Sequence, residues 1–331
     1  MYKIAVIAGD GIGKEVVDST IKVLSALGLG ISFEYAEAGW EVFKQTGKSV
    51  PIDTLEIMKN SDASLAGAFT SPNKKVEGFF SAIRFIRQEL GLYANLRPAK
   101  SRPIPSSAKA VDMLLVRENT EGLYIGNERR YGDVAIAEAV VTKKASERIA
   151  KVAFKTAKKR RNKLAIIHKA NVLPLTTGLF LETAKAAANN FPTVEVEDII
   201  VDAAAMRLVR YPKSFDVLVT TNLFGDILSD LMAGIVGGLG IAPSANIGLK
   251  YAVFEPVHGS APDIAGKGIA NPTATMLSAS MMLEHLGEVE AAERINKAID
   301  DVLESGISTP DLGGLATTND FTKAVIEHLN K

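Results

Sequence analysis

Asp226 and Asp230 stand four residues apart in NLFGDILSD, the stretch whose residue types are best suited to chemistry. The β-branched run VLVTT before it reads as a buried strand. Leu223, Ile227 and Leu231 then recur at helical spacing, so the two carboxylates share one helical face. Two negative charges so placed repel by roughly a few tenths of a kcal/mol on an isolated helix, which calls for solvent or a cation. Carboxylate oxygens are the donors that Mg²⁺ and Mn²⁺ take, together with water and substrate oxygens. Taken alone the pair reads first as a solvated acidic face. Asp202, in IIVDAAAMRLV after another apolar strand, is a third carboxylate that such a cation would accept.

Cations are placed as suggestively. Arg84, Arg87, Arg97 and Arg117 fall within thirty-four residues, three of them on apolar elements. Each alone reads as a surface side chain, but together they point to a site for several carboxylates, whose geometry an arginine fork matches. Lys169 follows the apolar strand 163 to 168 in HKANVLP. It reads first as a surface lysine and second as a partly desolvated base.

The elements that must position these groups alternate. Residues 3 to 8 form a strand that ends in GDGIGKE, and Val16, Val17, Ile21 and Leu24 then mark a helix. The turn invites a Rossmann reading with Glu34 or Glu37 as the ribose acid, but its glycines give GxGxG and not GxGxxG. They still imply that something approaches the backbone closely. Strands are expected near 32 to 36 and 63 to 69 and a helix near 51 to 59. A further helix is expected over 76 to 90, with Phe79, Ile83, Ile86 and Leu90 on its inner face. Pro98, Pro103 and Pro105 mark a domain crossing. Residues 133 to 142 read as an extended arm suited to pairing with a second chain. The helix from about 145 ends in KKRRNK, a solvated helix end. EPVHGSAPDIAGKGIANP reads as loop, followed by helices near 273 to 286, 288 to 304 and 319 to 329, the last with Thr318 to Asp320 as N-cap candidates.

With 331 residues the chain can bury a large core in two domains or one large α/β unit. Lysine plus arginine and aspartate plus glutamate both number 38, so no net field favours nucleic acid or an anionic membrane. The absence of cysteine excludes disulfides and thiolate chemistry and fits a reducing cytosol. The amino terminus enters a glycine turn too soon to be a signal peptide and reads as the mature start. The uncharged stretch Leu231 to Leu249 approaches a membrane span in length, but its five glycines and one proline mark a buried helix end followed by loop. The four histidines lack zinc-ligand spacing.

Together the motifs GDGIGKE, RQELGLYANLRP, RENTEGLY, HKANVL, VDAAAM, NLFGDILSD, HGSAPDIAGKGIANP and DLGG resemble the isocitrate, isopropylmalate and homoisocitrate dehydrogenase family of β-hydroxyacid oxidative decarboxylases, in the family's order and over nearly the whole chain. One departure is Lys14, where many members carry proline. The resemblance implies an α/β fold that is not a standard Rossmann domain, with two domains and an interdomain active-site cleft. The large, NAD-binding domain would be built from 1 to 98 and 249 to 331, and the small one from 99 to 248 would carry the dimer contacts and the metal aspartates. It implies a homodimer with shared active sites, or a tetramer, in the cytoplasm, acting on a small di- or tricarboxylate and not on nucleic acid or membrane.

By the same resemblance, Arg87, Arg97 and Arg117 bind the carboxylates of the malate moiety, with Asn171 as a further substrate contact. Tyr124 and Lys169, the latter supplied by the second subunit, are the acid and base, and both also contact substrate. Asp226 and Asp230, with Asp202 of the second subunit, hold Mg²⁺ or Mn²⁺. The loop residues His258, Gly259, Ser260, Ala261, Asp263, Ile264 and Asn271 bind the cofactor. Asp263 would accept hydrogen bonds from the adenosine ribose and repel a 2′-phosphate, by about 4 kcal/mol for unit charges 4 Å apart at an effective dielectric of 20, which favours NAD. Arg84, one turn before Arg87, resembles the homoisocitrate enzymes of lysine biosynthesis, with Ser71 as a second contact to the distal carboxylate and isocitrate also accepted. An apolar pocket lined by Phe79 and Phe80 would instead suit 3-isopropylmalate. Two other readings are a catalytically silent regulatory subunit of this fold and a Rossmann-type hydroxyacid dehydrogenase, which would turn over without metal or CO₂ release.

Overall fold

Apolar, β-branched runs alternate with amphipathic segments through both ends of the chain, and the computed structural model, which describes residues 1–72, 74 and 76–330, resolves them into alternating strands and helices. The first stretch comprises β1 (Tyr2–Ile7), α1 (Gly13–Ala26), β2 (Ile31–Ala36), α2 (Trp40–Thr46), α3 (Ile52–Lys59), β3 (Ala63–Ala66) and α4 (Ala82–Glu89). The middle stretch comprises β4 (Ala94–Lys100), β5 (Asp112–Glu118), β6 (Glu128–Tyr131), β7 (Val134–Ala137), α5 (Lys143–Lys158), β8 (Lys163–His168), α6 (Thr177–Ala187), β9 (Glu195–Ile200), α7 (Val201–Arg210), β10 (Val217–Thr220) and α8 (Asn222–Val236). The chain ends with β11 (Pro243–Ile247), β12 (Ala252–Pro256), α9 (Thr273–Leu286), α10 (Val289–Glu304) and α11 (Thr318–Leu329).

These elements form two compact units. The first takes both chain ends, Met1–Leu92, Arg102–Ser107 and Gly237–Lys331, and the second takes Tyr93–Ser101 and Ala108–Val236. In the first unit the strand order is β2-β1-β3-β12-β11, with β1, β2, β3 and β12 parallel and β11 antiparallel to β12. In the second it is β4-β5-β10-β8-β9, with β4 antiparallel to β5 and the rest parallel. All residues of β3, β10 and β12 are buried, which is why β3 and β10 show no alternation of apolar and polar residues, while β12 carries Glu255 into the interior. Arg97 belongs to the second unit because its whole strand, Ala94 to Lys100, pairs residue for residue with Glu118 to Asp112.

The glycine turn after β1 is filled by the chain itself. A Cβ on Gly11 would sit 1.9 Å from the Ser260 carbonyl oxygen, and one on Gly9 would sit 2.1 Å from that of Ala68. Both glycines have positive φ, +56° and +75°. The Ile12 N–H donates to that Ser260 carbonyl at 2.9 Å. The close approach expected at this turn is therefore made by the loop before α9 at Gly11 and by Ala68, just past β3, at Gly9.

Several elements differ from expectation. The helix expected over 76 to 90 begins only at Ala82. Gly78 turns left-handed at φ +74°, and Phe79 leaves the helical row to pack on Trp40 and Phe43. The uncharged stretch after Leu231 is not all loop, since Pro243–Ile247 pairs with β12, a register that period alone does not reveal. The arm expected over 133 to 142 is one half of an exposed hairpin, β6 with β7. The N-cap of α11 is Thr317, which forms a capping box with Asp320. Among the described residues no helix is long and apolar enough to cross a membrane.

Gly11→Ala should cost about 1–3 kcal/mol through backbone strain alone, before the clash with Ser260 is added. Thermal unfolding checks this, and an unchanged Tm would contradict both the strain at φ +56° and the clash with Ser260.

Candidate active site

Strand β5 delivers Arg117 and strand β4 delivers Arg97 towards one face of α8, all within the second unit. Arg117 is 1% exposed and lies across α8 where Gly225 stands. A Cβ at Gly225 would come within 2.6 Å of the arginine's own carbons, so the glycine makes the crossing possible. The Arg117 guanidinium donates to Asn222 Oδ1, from Nε at 3.0 Å and from Nη2 at 2.7 Å, and to Asp226 Oδ1. Arg97 donates from Nε to Asn95 Oδ1 at 2.6 Å and from Nη1 to Ser229 Oγ at 2.6 Å. The same Nη1 reaches Asp226 at 3.3 Å and Asp230 at 3.4 Å. One guanidinium thus spans the two carboxylates that helical spacing places side by side.

Tyr124 completes the group. Its hydroxyl donates to Asp226 Oδ2, and the Arg117 guanidinium lies 5.1 Å from the centre of its ring. Burial, and then the hydrogen bond to Asp226, push the phenol above its ordinary value, while Arg117 pulls it down. Burial likewise pushes the Asp230 carboxyl up, with Arg97 opposing and the Asp226 charge adding to the rise. Asp226 and Asp230 remain 36% and 53% exposed in their side chains. Two partly exposed carboxylates, one of them held up by burial and by the charge of the other, form an oxygen-only donor set that fits Mg²⁺ or Mn²⁺. Among the described residues of a single chain no third acidic or imidazole ligand joins them.

Lys169, just beyond β8, pairs with Asp202 in the first turn of α7. That lysine holds the Asp202 carboxyl below its usual range. Asn171 is exposed in the turn that follows, where the Val172 and Leu173 N–H groups donate to the Lys169 carbonyl.

The first unit carries the remaining candidates. Arg87 is buried on α4 and pairs with Glu255 at 2.9 Å, and Glu255 also accepts from Asn246 at 2.7 Å. Arg84, one turn earlier, lies with its guanidinium 4.9 Å from the centre of the Phe80 ring. Ser71 is exposed. The loop from His258 to Asn271 is anchored by its own residues. Ser260 meets Thr70 hydroxyl to hydroxyl at 2.6 Å, and Ile264 packs on Ile12 and Val16. Glu15 accepts from the Ala270 N–H at 3.0 Å. Buried Asn271 donates to Asp311 at 3.0 Å and accepts from the Thr273 N–H at 3.0 Å. Gly259 and Asp263 face solvent, and Ala261 takes a left-handed turn at φ +36°. Burial pushes the His258 imidazole down, so its neutral form is favoured, with Nδ1 3.0 Å from the Gly259 carbonyl.

Asn222, Ser229, Asn95 and Glu255 were not singled out from the sequence, although they hold the arginines in place. The spacing 222, 226, 230 was a legible signal for Asn222. Nothing in the sequence pointed to Glu255, which reaches Arg87 only through the pairing of distant strands.

In the second unit, buried Arg97 and Arg117 set on Asp226 and Asp230, with the Tyr124 hydroxyl beside them, bring cationic, carboxylate and phenolic groups together. The family model for isocitrate/isopropylmalate dehydrogenase matches residues 3–325. The isocitrate/homoisocitrate dehydrogenase of Thermus thermophilus is 64% identical over 329 residues, which cover 99% of this chain and 98% of that one. The 3-isopropylmalate/3-methylmalate dehydrogenase of Methanocaldococcus jannaschii is 50% identical over the full length of both chains. A crystal structure of isocitrate dehydrogenase from Methylococcus capsulatus superposes with a TM-score of 0.96 at 45% identity, again over the full length of both chains. The chain belongs to the isocitrate/isopropylmalate dehydrogenase family. It is an oxidoreductase that couples dehydrogenation to decarboxylation, in a family that uses NAD or NADP, a divalent metal and small carboxylate substrates.

Because the folded phenol of Tyr124 titrates above its unfolded value of 10.0, the stability it contributes is in place below that value and is lost as pH rises through the folded one. Subtracting the tyrosinate absorbance of Tyr124→Phe from that of the native enzyme should isolate one phenol that ionises above the ordinary range. A difference curve centred at or below the ordinary value would contradict the geometry.

Proposed function

We propose that this enzyme is an NAD-dependent homoisocitrate dehydrogenase, producing 2-oxoadipate and CO₂, which also accepts isocitrate. The observation that carries the substrate assignment is Arg84. It sits one helical turn before Arg87 on α4, with its guanidinium against the Phe80 ring. A cation at that position suits a third carboxylate and opposes an isopropyl group. Phe79, which an apolar pocket would need, packs against Trp40 and Phe43 instead. The relative at 64% identity is itself named for isocitrate and homoisocitrate.

In this reading Arg87, Arg97 and Arg117 fork onto the malate carboxylates and fix their orientation. Asn171 adds a polar contact and Ser71 assists Arg84 at the distal carboxylate. Asp226, Asp230 and the partner's Asp202 would hold Mg²⁺ or Mn²⁺, and His258, Gly259, Ser260, Ala261, Asp263, Ile264 and Asn271 would form the adenosine loop. When bound, NAD would take up the hydride from C2, and the metal would acidify the substrate hydroxyl and then polarise the C2 carbonyl, which would receive the electron pair of the C3–carboxylate bond as it breaks and CO₂ leaves. The partner's Lys169 takes the hydroxyl proton. After CO₂ departs, Tyr124, which stays protonated at working pH, donates its proton to carbon. Asp263 is exposed, where it can accept from ribose hydroxyls and repel a 2′-phosphate. The enzyme would work in the cytoplasm as a homodimer with shared sites, alone or within a tetramer. Val172, Leu175, Val209 and Ile227, each at least 60% exposed on the second unit, support such an interface.

Parallel kcat/KM measurements with NAD and Mn²⁺ should rank homoisocitrate first, isocitrate second and 3-isopropylmalate last. Arg84→Leu should depress the two tricarboxylates by about 10- to 100-fold, the loss associated with one charged contact at about 1.5–3 kcal/mol, and spare 3-isopropylmalate. Equal losses on all three would remove Arg84 as the selector, and no NADH with any of them would remove the enzyme reading.

Shared sites predict complementation. Lys169→Ala and Asp226→Asn should each abolish turnover, whereas refolding the two together should restore part of it, because one site in each mixed dimer takes both intact residues. A mixture as inactive as its parents would assign each site to a single chain.

A further inference from the structure

The short helix α2 is joined to both ends of the segment that carries the proposed substrate-selecting groups, all within the first unit. At the near end, buried Asp10 accepts three backbone N–H groups. Its Oδ2 takes those of Trp40 at 2.9 Å and Thr70 at 2.8 Å, and its Oδ1 takes that of Glu41 at 3.1 Å. One carboxylate thus fastens the first turn of α2 to the residue before Ser71. At the far end, the edge of the Phe79 ring meets Trp40 at 5.2 Å and Phe43 at 5.1 Å, while those two stack at 5.6 Å. Just past α2, the Ser49 hydroxyl donates to the Phe80 carbonyl. Phe80 in turn lies against the Arg84 guanidinium.

We propose that α2 is a specificity buttress, in which Trp40 and Phe43 hold Phe79, and through Phe80 aim Arg84 at the distal carboxylate of the substrate. This rests on the reading of Arg84 given above. A guanidinium held over an aromatic ring keeps N–H groups available for a carboxylate, so an aromatic support orients the group for that contact. Aromatic pairs resist displacement because their edge-to-face geometry is specific. Without the clamp, a left-handed glycine at 78 offers the segment many other paths. Phe79, Trp40 and Phe43 are positioning residues here, acting through Arg84.

The test is a double-mutant cycle of Phe79→Leu with Arg84→Leu, read as kcat and KM for homoisocitrate, isocitrate, 3-isopropylmalate and NAD. Phe79→Leu alone should raise KM for the tricarboxylates about tenfold, the scale of one or two aromatic contacts, with kcat and the KM for NAD within about twofold. Phe79→Tyr should restore native values. In the Arg84→Leu background the same change should alter tricarboxylate kcat/KM by less than about twofold. Equal loss on every substrate with a lowered Tm, or the same loss in both backgrounds, would overturn the buttress. If Phe79→Leu does not fold, Trp40→Phe weakens the clamp from the other side and is held to the same outcomes. If the native enzyme prefers isocitrate, the homoisocitrate assignment fails by itself, and the cycle is decided on isocitrate, whose third carboxylate tests the same contact.

Discussion

A guanidinium with almost no exposed surface is the constraint on which the second unit depends. Arg117 carries a full charge into the region between β5 and α8, and a buried charge is tolerated only when it is paired and hydrogen-bonded. Asn222 and Asp226 meet that demand from successive turns of α8. Gly225 between them lets the arginine stem lie against the helix backbone. Losing a partner would leave the buried guanidinium incompletely paired, so the helix has little freedom to slide. The register that satisfies Arg117 also presents Asp226 to Tyr124 and to Arg97, and sets Asp230 one turn farther along. Stability and site geometry are therefore served by the same contacts.

The first unit uses neutral contacts for a similar end. Its adenosine-loop candidates are fixed from below by Ser260 against the glycine turn, by Ile264 in a small apolar cluster and by Asn271 ahead of α9. The solvent-facing residues Gly259 and Asp263 lie between these anchors. A loop held at intervals by buried side chains keeps its backbone ordered before any ligand arrives, which reduces the ordering cost of binding. Of the glycines that invite a dinucleotide fingerprint, Gly11 serves this packing, since an added Cβ there would collide with the Ser260 carbonyl.

Much of the site was legible because it follows helical or strand period. Asp226 and Asp230 share a face by spacing alone, and Arg117 and Lys169 stand in or just beyond apolar strands that could be read directly, whereas the strand of Arg97 was hidden by Pro98. Other features lay beyond that reach. The row Leu223, Ile227 and Leu231 marked a helix correctly, yet Ile227 is exposed and the buried side is that of Asn222, Gly225 and Ser229. Period shows that a helix has faces, but not which one a buried charge will claim. Likewise Phe79 fits a helical row in VEGFFSAIRFIRQEL and is drawn off it by Trp40 and Phe43, more than thirty residues away.

The sequence by itself determined much of the alternation of strands and helices, the family and the chemical types of the site, because local period, motif order and residue chemistry require no knowledge of distant contacts. Tertiary structure alone decided that Asp226 serves Arg97, Arg117 and Tyr124 together, that Glu255 answers Arg87, that Asp10 joins α2 to Thr70, and that an aromatic pair on α2 takes Phe79. Each of these depends on which surfaces close against one another. Burial then raises the cost of any polar group or ring left without a partner, and in doing so selects one arrangement from many that the sequence would permit.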